Sequence, residues 1–259
     1  MCLVVFAWKA HPDYKLILAA NRDEFHGRPS KDAHWWPDLP NVLGGRDLQA
    51  GGTWLATSRS GRFATVTNYR EQQPAPSGAR SRGEIVTDIV SGESDPRSYV
   101  YSFAGVAYAG VSLLAADDDN IYYTSNRGDE AVTLEAGVYG LSNASLDTPR
   151  PKLVRSKEAL AALIGSNNVN TAELLHLLAD KTPAARSDVN SGELPFTLAR
   201  ALTAPFIVSE TYGTRCSTTL MIANDGKTEF CERCFDSRGV ARGDSSFSFN
   251  HEVDILTST

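Results

Sequence analysis

Cys2 is the first side chain in the sequence that could act as a nucleophile. Cysteine is small enough for cells to remove a preceding Met1, and removal would leave a thiol and a free α-amine on one residue. The ordinary pKa of that amine is about 7.7–8.0, so at pH 7 it is partly neutral and can accept the thiol proton. The alternative is a small apolar residue in a buried strand, and a Met-Cys start alone favours this alternative.

A run of four polar residues, Asn21-Arg22-Asp23-Glu24, follows the apolar residues 16–20. We expect this run at a strand end, where side chains converge on a site. Arg22 could lower the pKa of a thiol or bind a carboxylate, and Asp23 could hold the amine of Cys2. The alternative is a solvated turn whose ion pair contributes less than about 1 kcal/mol.

Asn68 and Asn143 each end a predicted strand with a side-chain amide that can donate to a developing oxyanion. Asparagine at a strand end is also a common turn residue. Arg215 enters a late apolar strand. An arginine there has either a specific partner or a side chain that reaches out to solvent.

The cysteine and histidine spacing does not predict a metal site. Cys231 and Cys234 form a single C-x-x-C pair with no second pair and no nearby pair of histidines. If this segment is a strand, residues three apart face opposite sides, which also opposes chelation. The five histidines show no metal-ligand spacing, and His176 is predicted on the surface of a helix.

Composition excludes several classes of protein. The chain has 259 residues, 42% hydrophobic and 22% charged, with a net charge of −6, as expected of one globular domain over residues 1–259. It has no cluster of Lys and Arg for nucleic acid. It also lacks an apolar run of about 20 residues for a membrane span. With no signal peptide evident, we expect a cytoplasmic protein with reduced cysteines.

The first half of the chain reads mainly as strands and the second half as helices followed by strands. Residues 25–49 contain three prolines and no periodicity, which predicts a long loop ordered by Trp35 and Trp36. The predicted strands are Cys2–Trp8 and 15–20 (a hairpin), 53–58 and 63–69 (a hairpin), 109–116, 120–125, 138–142, 206–212, 216–223, 227–235 and 247–256. The predicted helices are 85–90, a helix capped by Asp95 through 103, 156–164, 171–181 and 196–202, and residues 72–82 are predicted to be polar and flexible.

Taken together, these residues resemble the NRDE family, also called the transport and Golgi organisation protein 2 family. The resemblance covers nearly the whole chain. It is carried, in order, by Met1-Cys2, residues 18–25, Arg28-Pro29-Ser30, residues 51–55, Val66-Thr67-Asn68-Tyr69, Arg82-Gly83-Glu84, residues 125–128, residues 139–144 and Tyr212-Gly213-Thr214-Arg215.

That family is similar to the N-terminal nucleophile hydrolases, and the resemblance implies an α+β fold. The fold would be a four-layer αββα sandwich of two antiparallel sheets. Cysteine members such as penicillin V acylase and bile salt hydrolase cleave non-peptide amide bonds, which implies an amidase that needs no cofactor. The implied catalytic residues are Cys2, Arg22, Asp23, Asn68, Asn143 and Arg215. Arg22 departs from those enzymes in lying next to Asp23, and Arg150 stands where the family usually has tryptophan.

The family also implies a second class of function, a binding protein. Its members are associated with haem trafficking or with lipid and acyl-CoA homeostasis. Haem would need an apolar slot, which the Trp35-Trp36 loop could form with His26 or His34 as ligand. Trp35, Trp36 and Trp54 are therefore the predicted substrate-binding residues, and the expected partner is a small substrate or haem. A scaffolding protein is a third alternative without positive support.

Overall fold

The computed structural model describes residues 2–70, 77–92, 94–192 and 194–251. The strands are β1 (Cys2–Trp8), β2 (Tyr14–Phe25), β3 (Ser30–Trp35), β4 (Val42–Asp47), β5 (Leu55–Ser58), β6 (Phe63–Asn68), β7 (Val111–Ala116), β8 (Ile121–Ser125), β9 (Val132–Thr133), β10 (Gly137–Leu141), β11 (Tyr212–Ala223), β12 (Lys227–Phe235) and β13 (Ala241–Asn250). The α-helices are α1 (Arg82–Val90), α2 (Pro96–Tyr101), α3 (Pro151–Gly165), α4 (Thr171–Leu178) and α5 (Phe196–Ala201), and residues 186–188 form a 3₁₀ turn.

The strands form two antiparallel sheets. The first sheet has the order β10-β1-β2-β11-β12-β13, and the second runs β3-β4-β5-β6-β7-β8-β9. Strand β1 shows why the sheets stack: Val4 and Phe6 point into the core between the sheets, and Leu3 and Val5 point into a core beneath the helices. A strand buried on both faces has a continuous apolar sequence rather than an alternating one.

Helices cover the outer face of each sheet. α3 and α4 pack on the first sheet, and α1 and α2 pack on the second. α2 has the predicted cap, since Asp95 accepts from the amide of Ser98. α1 is capped by Ser81, which accepts from the amide of Gly83. The predicted four-layer αββα sandwich is therefore confirmed. No described helix combines the length and apolar character that crossing a bilayer requires.

Three local predictions are wrong. Residues 25–49 are not a long loop, because strands β3 and β4 pair there and the prolines lie beside or between them. The polar run 21–24 does not follow a strand but lies inside β2, which continues to Phe25 between β1 and β11. Residues 206–211 form no strand, and β11 begins at Tyr212.

Other predicted elements are present in the structure, but their boundaries differ from the predicted ones. Helix α3 begins five residues before the predicted start at 156, so that Lys152 lies in its first turn. The predicted last strand is shifted to Ala241–Asn250. Parts of the predicted segments 72–82 and 247–256 lie outside the described residues.

Candidate active site

A cavity of about 340 Å³ opens where β1 and β2 meet β6 and the start of α1. Five predicted site residues border it, namely Cys2, Arg22, Asp23, Trp54 and Asn68. The remaining lining residues are Glu24, Arg28, Asp47, Ala50, Thr53, Val66, Ala79, Arg80, Ser81, Arg82, Gly83 and Ala109. The cavity therefore combines a thiol, an amide side chain and several arginines.

A row of side chains crosses the first sheet at the depth of Cys2. Cys2 pairs directly with Arg22, Arg22 pairs with Cys216 on its other side, and Cys216 pairs with Cys234. Directly paired residues face the same side of a sheet, and neighbouring strands are about 4.8 Å apart. Since Phe6 and Phe230 place this face between the sheets, Arg22 lies between Cys2 and Cys216 on the face that points to the second sheet.

Arg22 is held in a nearly dry position. Its side chain is 5% exposed, its Cζ lies 4.2 Å from the ring centre of Trp54, and its Nη2 lies 4.0 Å from Asp47 Oδ2. Among the described residues, its Nη1 is buried without a hydrogen-bond partner. The Trp54 ring orients the stacked guanidinium beside the cavity that Arg22 borders.

Asp23 lies on the opposite face of β2, beneath α3. Its Oδ1 accepts a hydrogen bond from Thr214 Oγ1 at 2.7 Å, and its Oδ2 lies 3.7 Å from Lys152 Nζ. The carboxylate is fully buried, and burial raises its pKa while the charge of Lys152 lowers it. The position suits a carboxylate that binds a cation behind the sheet.

A β-bulge in β11 brings Thr214 to the face of the sheet on which Asp23 lies. Thr214 pairs with Asp23 and Cys216 pairs with Arg22, so Arg215 is an extra residue in the ladder. Residues two apart in a regular strand face the same side. The bulge lets Thr214 face the helices while Cys216 faces the second sheet.

The two asparagines occupy different places. Asn68 borders the cavity, whereas Asn143 is not among its lining residues. Asn143 is buried in a left-handed conformation with φ of 58°, and its Nδ2 donates to the main-chain oxygen of Asn68 at 2.9 Å. Asn143 thereby fixes the backbone that presents Asn68.

Arg215 is directed away from Cys2. Its Nη1 donates to the main-chain oxygens of Phe25, His26 and Arg28 at 2.9, 3.2 and 3.0 Å, and the residue does not border the cavity. Partial burial lowers the pKa of the guanidinium. Arg215 ties down the turn that follows β2.

The predicted substrate-binding tryptophans also differ in whether they border the cavity. Trp54 borders the cavity beneath Arg22. Trp35 packs edge-on against Phe249 and stacks with Arg59, and Trp36 is buried with its indole N–H donating to Gly44. The last two rings fill the protein's own core rather than an open slot.

The candidate haem ligands have backbone partners. His26 Nε2 lies 3.1 Å from the main-chain oxygen of Ser209, and His34 Nδ1 lies 2.8 Å from that of Asp32. Within the described ranges, no three His, Cys, Asp or Glu side chains cluster as metal ligands would.

The start of α1 forms the wall opposite Cys2. Arg82 donates from Nη1 to the main-chain oxygen of Gly110 at 3.1 Å. Gly52 packs against Gly83 so closely that a Cβ on Gly52 would lie 2.5 Å from the Gly83 carbonyl carbon. A side chain at residue 52 would therefore displace the start of α1.

Sequence reasoning missed two buried charged residues, Lys152 and Glu232. Lys152 lies outside the predicted helix, and a lysine before a helix resembles a surface residue. Glu232 shares the inward face of β12 with the buried Phe230 and Cys234, and it is itself only 1% exposed. A charged residue at an inward position of the alternation was the available signal.

Two solved structures have similar architecture. One is a Caenorhabditis elegans N-acylethanolamine-hydrolyzing acid amidase ortholog, 10% identical, with a TM-score of 0.49 over 85% of this chain and 92% of that one. The other is a mutant conjugated bile acid hydrolase from Clostridium perfringens, 8% identical, with a TM-score of 0.49 over 98% and 94%.

Sequence relatives are much closer. The mouse Transport and Golgi organization 2 homolog is 34% identical over 95% of this chain and 97% of its own length. The human Transport and Golgi organization protein 2 homolog is 36% identical over 90% and 92%. The family model for Transport and Golgi organisation 2 matches residues 1–237. The chain therefore belongs to the Transport and Golgi organisation 2 family.

Proposed function

We propose that the protein hydrolyses an amide bond in a small acylated substrate, with Cys2 as the nucleophile. The observation that supports this most is the shared position of Cys2, Arg22 and Asn68 on one cavity, with the Asp23 carboxylate buried behind the same strand pair. A nucleophile, a cation and an amide donor beside one cavity meet the geometric needs of acyl transfer.

The proposed reaction begins once Met1 is removed. The α-amine of Cys2 takes the thiol proton, and the sulfur attacks the substrate carbonyl carbon to form a tetrahedral intermediate. The side-chain amide of Asn68 donates to the oxyanion. When the C–N bond breaks, the α-ammonium returns the proton to the leaving amine, and the acyl group stays on sulfur.

Water completes the cycle. The neutral α-amine removes a proton from water, the resulting hydroxide attacks the thioester, and the carboxylic acid and the Cys2 thiol are regenerated. In this proposal Arg22 is the cation of the site, on the strand directly paired with Cys2. In this scheme Asp23 holds the ammonium form, and Asn143 acts by fixing the backbone of Asn68.

The test combines a mass measurement of the purified protein with an assay of amide hydrolysis. Intact mass spectrometry of the purified protein is expected to show a chain lacking Met1. A panel of N-acyl aminomethylcoumarins with acyl chains of increasing length is then assayed by fluorescence. We expect Cys2→Ala to reduce turnover by about 10³-fold or more, as removal of a covalent nucleophile does.

Cys231→Ala is the matched control, because this thiol faces the other side of β12 and contacts Ser246. It is expected to leave turnover unchanged. Retention of Met1, or a Cys2→Ala variant as active as the wild type, would overturn the proposal.

A further inference from the structure

Lys152 is a buried lysine whose position the reaction above does not explain. Its side chain is 4% exposed, and its Nζ has no hydrogen-bond partner among the residues that the structure describes. It also lies in the first turn of α3, where the helix dipole disfavours a cation. Burial of a charge is costly unless another charge offsets it, so the nearby anion must stabilise this lysine.

That anion is Asp23. Lys152 Nζ lies 3.7 Å from Asp23 Oδ2, and the carboxylate is fully buried. Lys152 lowers the pKa of Asp23 more than the hydrogen bond from Thr214 does. The pair therefore places almost no net charge behind β2.

Other titratable groups near this pair are separated from it by the sheet or held by other partners. Arg22 and Cys216 face the second sheet, on the opposite side from Asp23. Arg155 pairs with Asp180, and Lys157 pairs with Asp147. The remaining groups on the surrounding strands and helices are Cys2 on β1, Tyr14, Lys15 and Glu24 on β2, Tyr139 on β10, Tyr212 and Arg215 on β11, Glu173 and His176 on α4, Glu158 on α3 and Arg150 at its N-cap.

We propose that Lys152 is a positioning residue that balances the charge of Asp23, so that the α-amine of Cys2 stays neutral and can take up the thiol proton. This inference rests on the proposed function. A lone buried carboxylate would stabilise the amine as ammonium, and an ammonium cannot act as a base. With Lys152 present, the Asp23–Lys152 pair carries almost no net charge, so Asp23 stabilises a positive charge at the amine less strongly.

The test measures the pKa of the α-amine in the full-length protein. The protein is labelled competitively with acetic anhydride across pH 6–10, and mass spectrometry of the N-terminal peptide gives the fraction acetylated. We expect a wild-type value at or below the ordinary value of about 8. Lys152→Met is expected to raise it by about one unit, which lowers the neutral fraction at pH 7 about tenfold.

Two variants control for charge and for the helix. Lys152→Arg keeps the cation and is expected to restore the wild-type pKa. Lys157→Met removes a partly exposed lysine from the same helix and is expected to leave the pKa unchanged. A Lys152→Met protein with the wild-type amine pKa would overturn the inference.

A wild-type amine pKa above about 9 would also overturn the inference. This measurement needs no variant, so the inference can be refuted even if Lys152→Met does not fold. The two proposals fail in different ways. Retention of Met1 leaves no α-amine on Cys2 and removes the proposed function. Loss of Met1 with an unchanged amine pKa in Lys152→Met removes only the role of Lys152.

Discussion

Asp23 and Glu232 are two buried carboxylates of the same sheet that have opposite kinds of partner. They are 2% and 1% exposed, and burial raises the pKa of each. Asp23 faces the helices and lies 3.7 Å from the Lys152 cation. Glu232 faces the second sheet, where it accepts from the amide of Ala33 at 2.7 Å.

The other hydrogen-bond donors to Glu232 among the described residues are also neutral, and the nearby Asp32 carboxylate raises the pKa of Glu232 further. Thr218 Oγ1 lies 3.3 Å from its Oε2, and the Cys234 thiol lies 3.8 Å from its Oε1. The Ala33 amide belongs to β3, so Glu232 fastens one sheet to the other. A carboxylate with a buried cation is suited to remain charged, whereas one with neutral donors can remain in place after protonation.

The largest expected effect is a difference in stability between two variants, each of which replaces one of these carboxylates with a neutral amide. Asp23→Asn leaves Lys152 buried without its anion and is expected to destabilise the protein by about 3 kcal/mol. Glu232→Gln keeps an acceptor for Ala33 and leaves no charge unpaired, so we expect little loss. Urea unfolding of both variants at pH 7 checks this contrast, and equal losses would contradict it.

The thiols beside the two carboxylates are expected to differ in reactivity. Burial and the neighbouring Glu232 raise the pKa of Cys216 well above its usual value, whereas Cys2 borders the cavity. In the native protein at pH 8, iodoacetamide is expected to modify Cys2 at least about tenfold faster than Cys216, since the thiolate is the reactive form. Peptide mass spectrometry over time gives both rates, and faster modification of Cys216 would refute the expectation.

The pH dependence of stability offers a smaller test. The pKa of Glu232 is higher in the folded state than its unfolded value of about 4.3, so its contribution to stability is fully present below that pH. The contribution is lost as pH rises through the folded pKa. Relative to Glu232→Gln, the wild type is expected to lose stability as pH rises from 4 to 8. Urea unfolding across that range measures it, and a constant difference would argue against a raised pKa.

The smallest expected effects concern the threonine beside each carboxylate. Thr214 donates to Asp23 at 2.7 Å and also accepts from the amide of Ile207, whereas Thr218 donates to Glu232 at 3.3 Å. Thr214→Val is expected to cost about 1.5 kcal/mol and Thr218→Val about 0.5 kcal/mol. Thermal unfolding at matched pH compares the two, and the reverse order would show that bond length is a poor guide here.

Local pattern was sufficient for much of the fold. The β1–β2 hairpin followed from two apolar runs around a turn, and α2 followed from Asp95 before Pro96. The β3–β4 pair could not be predicted, because prolines and polar residues hid its pattern and its stability depends on residues of other strands. Polar residues 21–24 suggested a strand end for the same reason, since only the partner strands make their burial favourable.

The candidate site also contains residues that the sequence could predict and one that it could not. Cys2, Arg22 and Asn68 were predicted by motif, and the structure brings them to one cavity. Lys152 was missed because its ion pair joins residues 129 positions apart in sequence. Such a contact has no signature in local spacing, although a charged residue that the fold buries is always a reason to look for its partner.

The extra residue at position 215 has an evolutionary consequence. Deleting Arg215 would make Thr214 and Cys216 adjacent in an uninterrupted ladder, where they would still face opposite sides and still pair with Asp23 and Arg22. The loss would fall on the turn after β2, because Arg215 donates to the main-chain oxygens of Phe25, His26 and Arg28. In a related chain, a one-residue gap here would therefore release that turn while keeping the separate neighbours of Asp23 and Arg22.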